Sequence, residues 1–170
     1  MKKFLVLLLM SVFMFFSFQS AGVEAASSGQ LLIINKSTNK MAFFENGKLI
    51  KVFSVATGKK VGYTPEGTFP IVNKIKNRPY YKDNIPGGSP RNPLGDRWLG
   101  LSARGTYGTT YAIHGNNNPN SIGTYVSAGC IRMYDHDVRW LFDRIKTKTN
   151  VVILRSNKPF ASIAMSKGYS

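Results

Sequence analysis

The chain of 170 residues carries 23 Lys and Arg against eight Asp and Glu, a net charge of +15, with 43% hydrophobic positions. That apolar share supports one core of ordinary domain size and excludes a disordered or collagen-like chain. A single cysteine excludes an intrachain disulfide, and with two histidines it leaves too few soft ligands for a closed zinc site, so no metal and no cofactor is expected.

The N-terminus has the order of a secretory signal peptide. Met1, Lys2 and Lys3 supply a positive start, Phe4 to Phe18 is apolar except for Ser11 and Ser17, and small residues follow around Ala21 to Ala26. The apolar stretch is shorter than the roughly 20 residues a membrane span needs. A cut after Ala25 is expected, which makes residues 1–25 the signal and 26–170 the exported domain, with a core over about 30–155; a retained anchor is the alternative. The mature part keeps 21 basic and seven acidic side chains. Export and the lack of zinc-finger spacing, recognition helix or aromatic RNA-binding motif argue against nucleic acid. An anionic envelope polymer fits the charge better.

From Gln30 the pattern is of short apolar runs and turns. Leu31 to Ile34 reads as a strand, Ser37 to Lys40 as a turn and Met41 to Phe44 as the return strand. Asn46-Gly47 is a two-residue hairpin signal, and Lys48 to Thr57 is a third strand ending at Gly58. Thr68 to Ile75 reads as a strand with Pro70 at its edge or start. Residues 77–97, rich in Pro and Gly, show no sustained periodicity, which suits a functional loop or a surface excursion. Trp98 to Ala103 and Thr109 to Ile113 return to strand composition. Val138, Leu141, Phe142 and Ile145 then sit at helical spacing, with Asp135 placed to cap the helix start. Asn150 to Leu154 reads as a closing buried strand and Arg155 to Ser170 as a weakly structured tail. One mainly β domain is the economical reading.

The chemistry concentrates in YAIHGNNNPNSIGTYVSAGCIRM, Tyr111 to Met133, which holds Cys130 and His114. A thiol attacks as thiolate, so acyl transfer needs an imidazole to take its proton and a third group to fix the imidazole's tautomer. No acid adjoins His114, but a carbonyl near Gly115 serves as well, because a neutral imidazole needs only an acceptor. Gly129 lets the main chain approach, so that the N–H groups of Gly129 and Cys130 face a developing oxyanion. The plain structural alternative is a buried cysteine and a hydrogen-bonded histidine at a strand end. His136, at the helix start, reads as structural or as part of the rim.

This segment, with HG, a spacer and S-x-G-C-I-R, closely resembles the catalytic domain of YkuD-type L,D-transpeptidases of bacterial cell-wall cross-linking. The resemblance is strongest over 114–138 and runs more loosely over 31–154. It implies a β-sandwich-like fold with a helix following the cysteine loop. It implies Cys130 as nucleophile, His114 as general base and Gly115 as the residue whose carbonyl orients the imidazole. Ser127, Gly129 and Arg132 would shape the loop, the oxyanion environment and substrate binding. Many members have histidine where this chain has Ala128, which leaves Ser127 and backbone N–H groups to serve the oxyanion. The implied reaction is acyl transfer from a peptidoglycan tetrapeptide stem through a Cys130 thioester with release of D-alanine, in a secreted, wall-associated protein with no metal or cofactor. Water as acceptor would give an L,D-carboxypeptidase, and a third reading is a non-catalytic wall-binding domain. Papain-like proteolysis is disfavoured because that family places its cysteine before its histidine. The oligomeric state is not legible.

Overall fold

The computed structural model describes residues 29–169, so the expected signal peptide and its cut near Ala26 lie outside the described residues. Three antiparallel strands open the domain: β1 (Gln30–Asn35), β2 (Lys40–Glu45) and β3 (Lys48–Ser54). Asn46 and Gly47 join the last two with φ of 50° and 74°, the pair of positive values a type I′ hairpin turn requires. Along β1, Leu32 and Ile34 enter the main core while Leu31 and Ile33 enter a second core on the other face. A strand buried on both faces reads as an unbroken apolar run.

The third strand stops at Ser54, short of the expected Thr57. The Val55 N–H turns to the Asn39 carbonyl (3.0 Å), and Ala56 exchanges two backbone hydrogen bonds with Arg132 (2.9 and 3.0 Å). Thr57 and Gly58 then form β4 (Thr57–Gly58), which runs parallel to β8 (Tyr125–Ser127). The chain has left the large sheet to brace the segment that carries the cysteine.

The remaining strands are β5 (Gly67–Lys76), β6 (Arg97–Leu101), β7 (Tyr111–His114), β9 (Ile131–Arg132) and β10 (Asn150–Leu154). The large sheet has the order β3-β2-β1-β10-β5-β6-β7-β9. β5 is an interior strand, and Pro70 lies inside it. Gly67 to Pro70 pair with β10 and Ile71 to Lys76 with β6, with a register shift between Ile71 and Asn73. The missing N–H therefore falls where the strand changes partners, a position proline tolerates. β10 is buried as expected, but it lies between β1 and β5 and runs parallel to β1.

Helix α1 (Asp135–Arg144) buries Val138, Leu141 and Phe142, and Ile145 follows just past its last turn. Asp135 is the first helical residue and makes no capping hydrogen bond. Its carboxylate instead accepts the backbone N–H of Asn116 (2.9 Å). The helix packs on β6 and β7, while Trp140 meets Phe43 edge-on at 6.0 Å and Phe53 at 5.8 Å. One helix thus touches strands from both ends of the sheet, which curls around it. The architecture is mainly β with a helix after the cysteine loop, and its layers belong to this one curled sheet. The C-terminal stretch is not a loose tail: Arg155 to Pro159 lead into α2 (Phe160–Met165), whose Ile163 and Ala164 cover the second face of β1. The apolar spacing there is too short to stand out as a helix before its partner surface is known. Among the described residues no helix is long and apolar enough to cross a membrane.

Candidate active site

β7 and β9 run parallel, with Ile113 opposite Ile131 and His114 opposite Arg132. The two isoleucines enter the main core. Strand alternation therefore turns Ala112, His114, Cys130 and Arg132 to the opposite face. Cys130, one residue before β9, falls level with Ala112, two positions from His114 on the neighbouring strand. That offset is about 7 Å along the strand and about 5 Å across it.

His114 is buried, and its Nδ1–H donates to the Gly115 carbonyl (2.7 Å). A carbonyl can only accept, so the neutral imidazole presents Nε2 as its free lone pair. The ring stacks on Trp98 at 5.6 Å and 12° between planes, and the Trp98 indole N–H is anchored on the Gly108 carbonyl (2.9 Å). Burial lowers the His114 pKa to about 4; the Arg132 and Arg78 charges push the same way, against the backbone of Gly115 and Leu94. The peptides on both sides of Gly115 are themselves fixed. The Gly115 N–H donates to the Arg97 carbonyl (3.2 Å), and the Asn116 N–H donates to Asp135.

The cysteine turn is closed by side chains. The Ser127 hydroxyl donates to the Cys130 carbonyl (2.6 Å) and accepts the Gly129 N–H (3.0 Å). The Ser127 hydroxyl and the Gly129 N–H are thus committed inside the turn, which leaves the Cys130 N–H of the two expected to face an oxyanion. Thr64, fully buried, accepts the Gly58 N–H and donates to the Gly129 carbonyl, both at 2.9 Å. Gly129 has φ of 143°, and a Cβ there would lie 2.8 Å from the Tyr63 carbonyl oxygen, so glycine is required. The Cys130 thiol donates to the Thr110 carbonyl (3.3 Å). Burial pushes the Cys130 pKa up, opposed by the backbone of Ala112 and the charges of Arg132 and Arg78. Burial thus favours the neutral form of both groups.

A cleft of about 260 Å³ opens beside Cys130, walled by Arg78, Pro79, Tyr80, Tyr81, Leu94 and Trp98. Most of that wall comes from the irregular stretch 77–97, which is internally braced. Asn92, buried, donates to the Arg78 carbonyl (2.9 Å) and accepts the Leu94 N–H (2.9 Å). His136 lies away from this cleft, exposed, stacked on Tyr134 and 3.6 Å from the Asp137 carboxylate. Among the described residues no cluster of His, Cys, Asp and Glu suits a metal.

Sequence reasoning passed over Arg78, Trp98, Thr64 and the actual partner of Asp135. Thr64 and Trp98 carry no local motif, since their roles depend on what the fold places opposite them. Asp135 did carry a signal, but it points equally to a helix cap and to a neighbouring loop.

A curled mainly β domain with a carbonyl-oriented histidine at the end of one strand and a cysteine just before its parallel neighbour is the frame of a cysteine-dependent acyl-transfer enzyme. Residues 29–153 match the YkuD family, the L,D-transpeptidase catalytic domain. YqjB of Bacillus subtilis, named as an L,D-transpeptidase, is 45% identical over 158 residues, covering 92% of this chain and 90% of the relative. YkuD of the same organism is 41% identical over 110 residues, 65% of this chain and 57% of the relative. Among solved structures, an Enterococcus faecium L,D-transpeptidase superposes with a TM-score of 0.59 at 19% identity, over 74% of this chain and 50% of that one. One from Xylanimonas cellulosilytica gives 0.57 at 22%, over 76% and 62%. The chain spans half to three-fifths of those two solved chains, and at such identities the likeness concerns the fold. The chain belongs to the YkuD family of L,D-transpeptidase catalytic domains, cysteine-dependent enzymes of peptidoglycan cross-linking.

Proposed function

We propose that this domain cross-links peptidoglycan stem peptides outside the cytoplasmic membrane, with Cys130 as nucleophile, His114 as general base and the Gly115 carbonyl holding the imidazole. The observation that carries the reading is the 2.7 Å hydrogen bond from His114 Nδ1–H to Gly115, which leaves Nε2 as the proton acceptor on the strand beside Cys130. The donor is a tetrapeptide stem whose third residue is a diamino acid. His114 Nε2 takes the thiol proton as Sγ attacks the carbonyl of that residue's L-centre. The tetrahedral intermediate collapses, the C–N bond breaks, and the departing D-alanine amine takes the proton from His114. The side-chain amine of a second stem then attacks the thioester, its proton passes to His114, and the thiol is restored.

In the cysteine turn the remaining donor for the oxyanion is the Cys130 N–H, since the Gly129 N–H already serves Ser127. Arg132 adds a positive field across both groups. Ser127 and Gly129 act by holding the turn. Residues 1–25 direct export, and the basic surface keeps the domain among anionic wall polymers.

The test is incubation of the protein with a meso-diaminopimelate tetrapeptide muropeptide, followed by intact mass and product analysis. A Cys130-dependent acyl adduct, D-alanine release and a cross-linked dimer support the reading. Tripeptide alone would assign hydrolysis. D-Alanine release by Cys130→Ala at the wild-type rate would overturn the mechanism.

A further inference from the structure

Arg78 lies on the wall of the Cys130 cleft. It lies flat over the Trp98 ring, 3.8 Å from its centre, and its Nη2 donates to the Thr109 carbonyl (3.1 Å). Its Nη1 is buried and has no partner among the described residues. The Nε atoms of Arg97 and Arg132 are likewise buried and unpartnered among the described residues, but of the three arginines Arg78 is the one that lines the cleft beside Cys130. No acidic side chain lines this cleft, although Lys82 adds a second positive charge. The field of Arg78 also reaches both the thiol and the imidazole. Stacking on Trp98, whose other neighbour is the His114 ring, holds the fork in a fixed orientation relative to the reacting groups.

We propose that Arg78 is a carboxylate-binding residue of the acyl-donor cleft, and that it selects donors carrying a free carboxylate near the scissile bond. This rests on the reading of Cys130 as nucleophile but adds a residue outside the His-Gly-Cys segment. Two donor carboxylates share this chemistry: the terminal group of the departing D-alanine, and the side-chain carboxylate of the diamino acid. Either would accept charge-assisted hydrogen bonds from the part of the Arg78 guanidinium that lines the cleft.

The first experiment needs no stem peptide. Cys130 is alkylated with iodoacetate and with iodoacetamide, and the ratio of the two rate constants is compared in wild type, Arg78→Gln, Arg78→Lys and Arg132→Gln. Taking the ratio cancels the thiolate fraction, so it reports attraction of the carboxylate, and the Lys variant separates charge from the planar fork. Arg78→Gln is expected to lower the ratio at least about fivefold, with Arg78→Lys intermediate because it keeps the charge and loses the planar fork. An unchanged ratio in Arg78→Gln, or a fall only in Arg132→Gln, overturns the proposal. If Arg78→Gln does not fold, the Lys variant and wild type decide it: equal ratios in those two count against the fork.

Donor tetrapeptides with the terminal carboxylate free or amidated, and with the side-chain carboxylate free or amidated, then identify the source. The carboxylate whose amidation lowers kcat/KM in wild type but not in Arg78→Gln is the one bound. Sensitivity to neither overturns the assignment. Should wild type turn over no donor at all, the transpeptidase reading fails while the alkylation ratio still decides the anion site.

Discussion

A Cβ placed on Gly115 would lie 2.3 Å from the Asp135 carboxylate oxygen, and that same oxygen accepts the Asn116 N–H at 2.9 Å. The peptide whose carbonyl holds the His114 imidazole is thus tied through its own N–H to the first residue of a helix, and the preceding peptide is tied through the Gly115 N–H to β6. Gly115→Ala must push Asp135 away or tilt that peptide. It is expected to cost about 1–3 kcal/mol in stability and to lower turnover by at least about tenfold. Denaturant unfolding and D-alanine release measure the two effects. Turnover within twofold of wild type would show that the peptide's placement does not matter.

Asp135 offers a finer test of the same lock. Asp135→Asn keeps an oxygen for the Asn116 N–H, whereas Asp135→Ala leaves that donor unpaired at an expected cost of about 1–2 kcal/mol. Activity should follow the order wild type, Asn, Ala. Equal behaviour of Asn and Ala would place the effect in charge alone.

The protonation states predict two pH dependences. With the His114 pKa held at about 4, below its ordinary 6.5, the unfolded chain takes up the proton first as pH falls. Stability from this group is complete above pH 6.5 and is lost between 6.5 and about 4, by about 3 kcal/mol. Unfolding measured from pH 7.5 to 4 should show this acid limb, and His114→Gln should lack it. At the thiol, burial raises the Cys130 pKa, so iodoacetamide labelling should climb about tenfold per pH unit through neutrality. A labelling plateau already reached at pH 7 would mean a preformed thiolate–imidazolium pair.

Thr64 joins the Gly58 loop to the cysteine turn through one hydroxyl. Thr64→Val keeps the volume and strands a buried N–H and a buried carbonyl, for an expected loss of about 2–4 kcal/mol. Turnover should fall further than the folded fraction explains. By contrast Ile163→Ala, in α2 and far along the sheet from the cysteine, should cost about 2–4 kcal/mol and leave kcat/KM of the folded protein unchanged.

The strands around Asn46-Gly47 were legible because the turn chemistry is local: both residues must accept positive φ, and Asn and Gly do so. Helix α1 was legible from its apolar spacing, and the histidine and cysteine stood out as candidates because thiol chemistry demands such a pair. The early end of β3 was not, because Lys48 to Gly58 has strand composition throughout and only the presence of Arg132 beside Ala56 draws the chain aside. Helix α2 was missed for the same reason, since its one buried turn means nothing until β1 offers a second apolar face.

The sequence by itself determined a mainly β domain and the residue types able to perform cysteine chemistry, because turn preferences, apolar periodicity and nucleophile chemistry are properties of short segments. Only the tertiary structure decided that Cys130 stands beside the strand that carries His114, that Thr64 braces the cysteine turn, and that Arg78 and Trp98 complete the cleft. Those relations join segments far apart in the chain, and their strength comes from burial, which exists only once the sheet has curled around its helix.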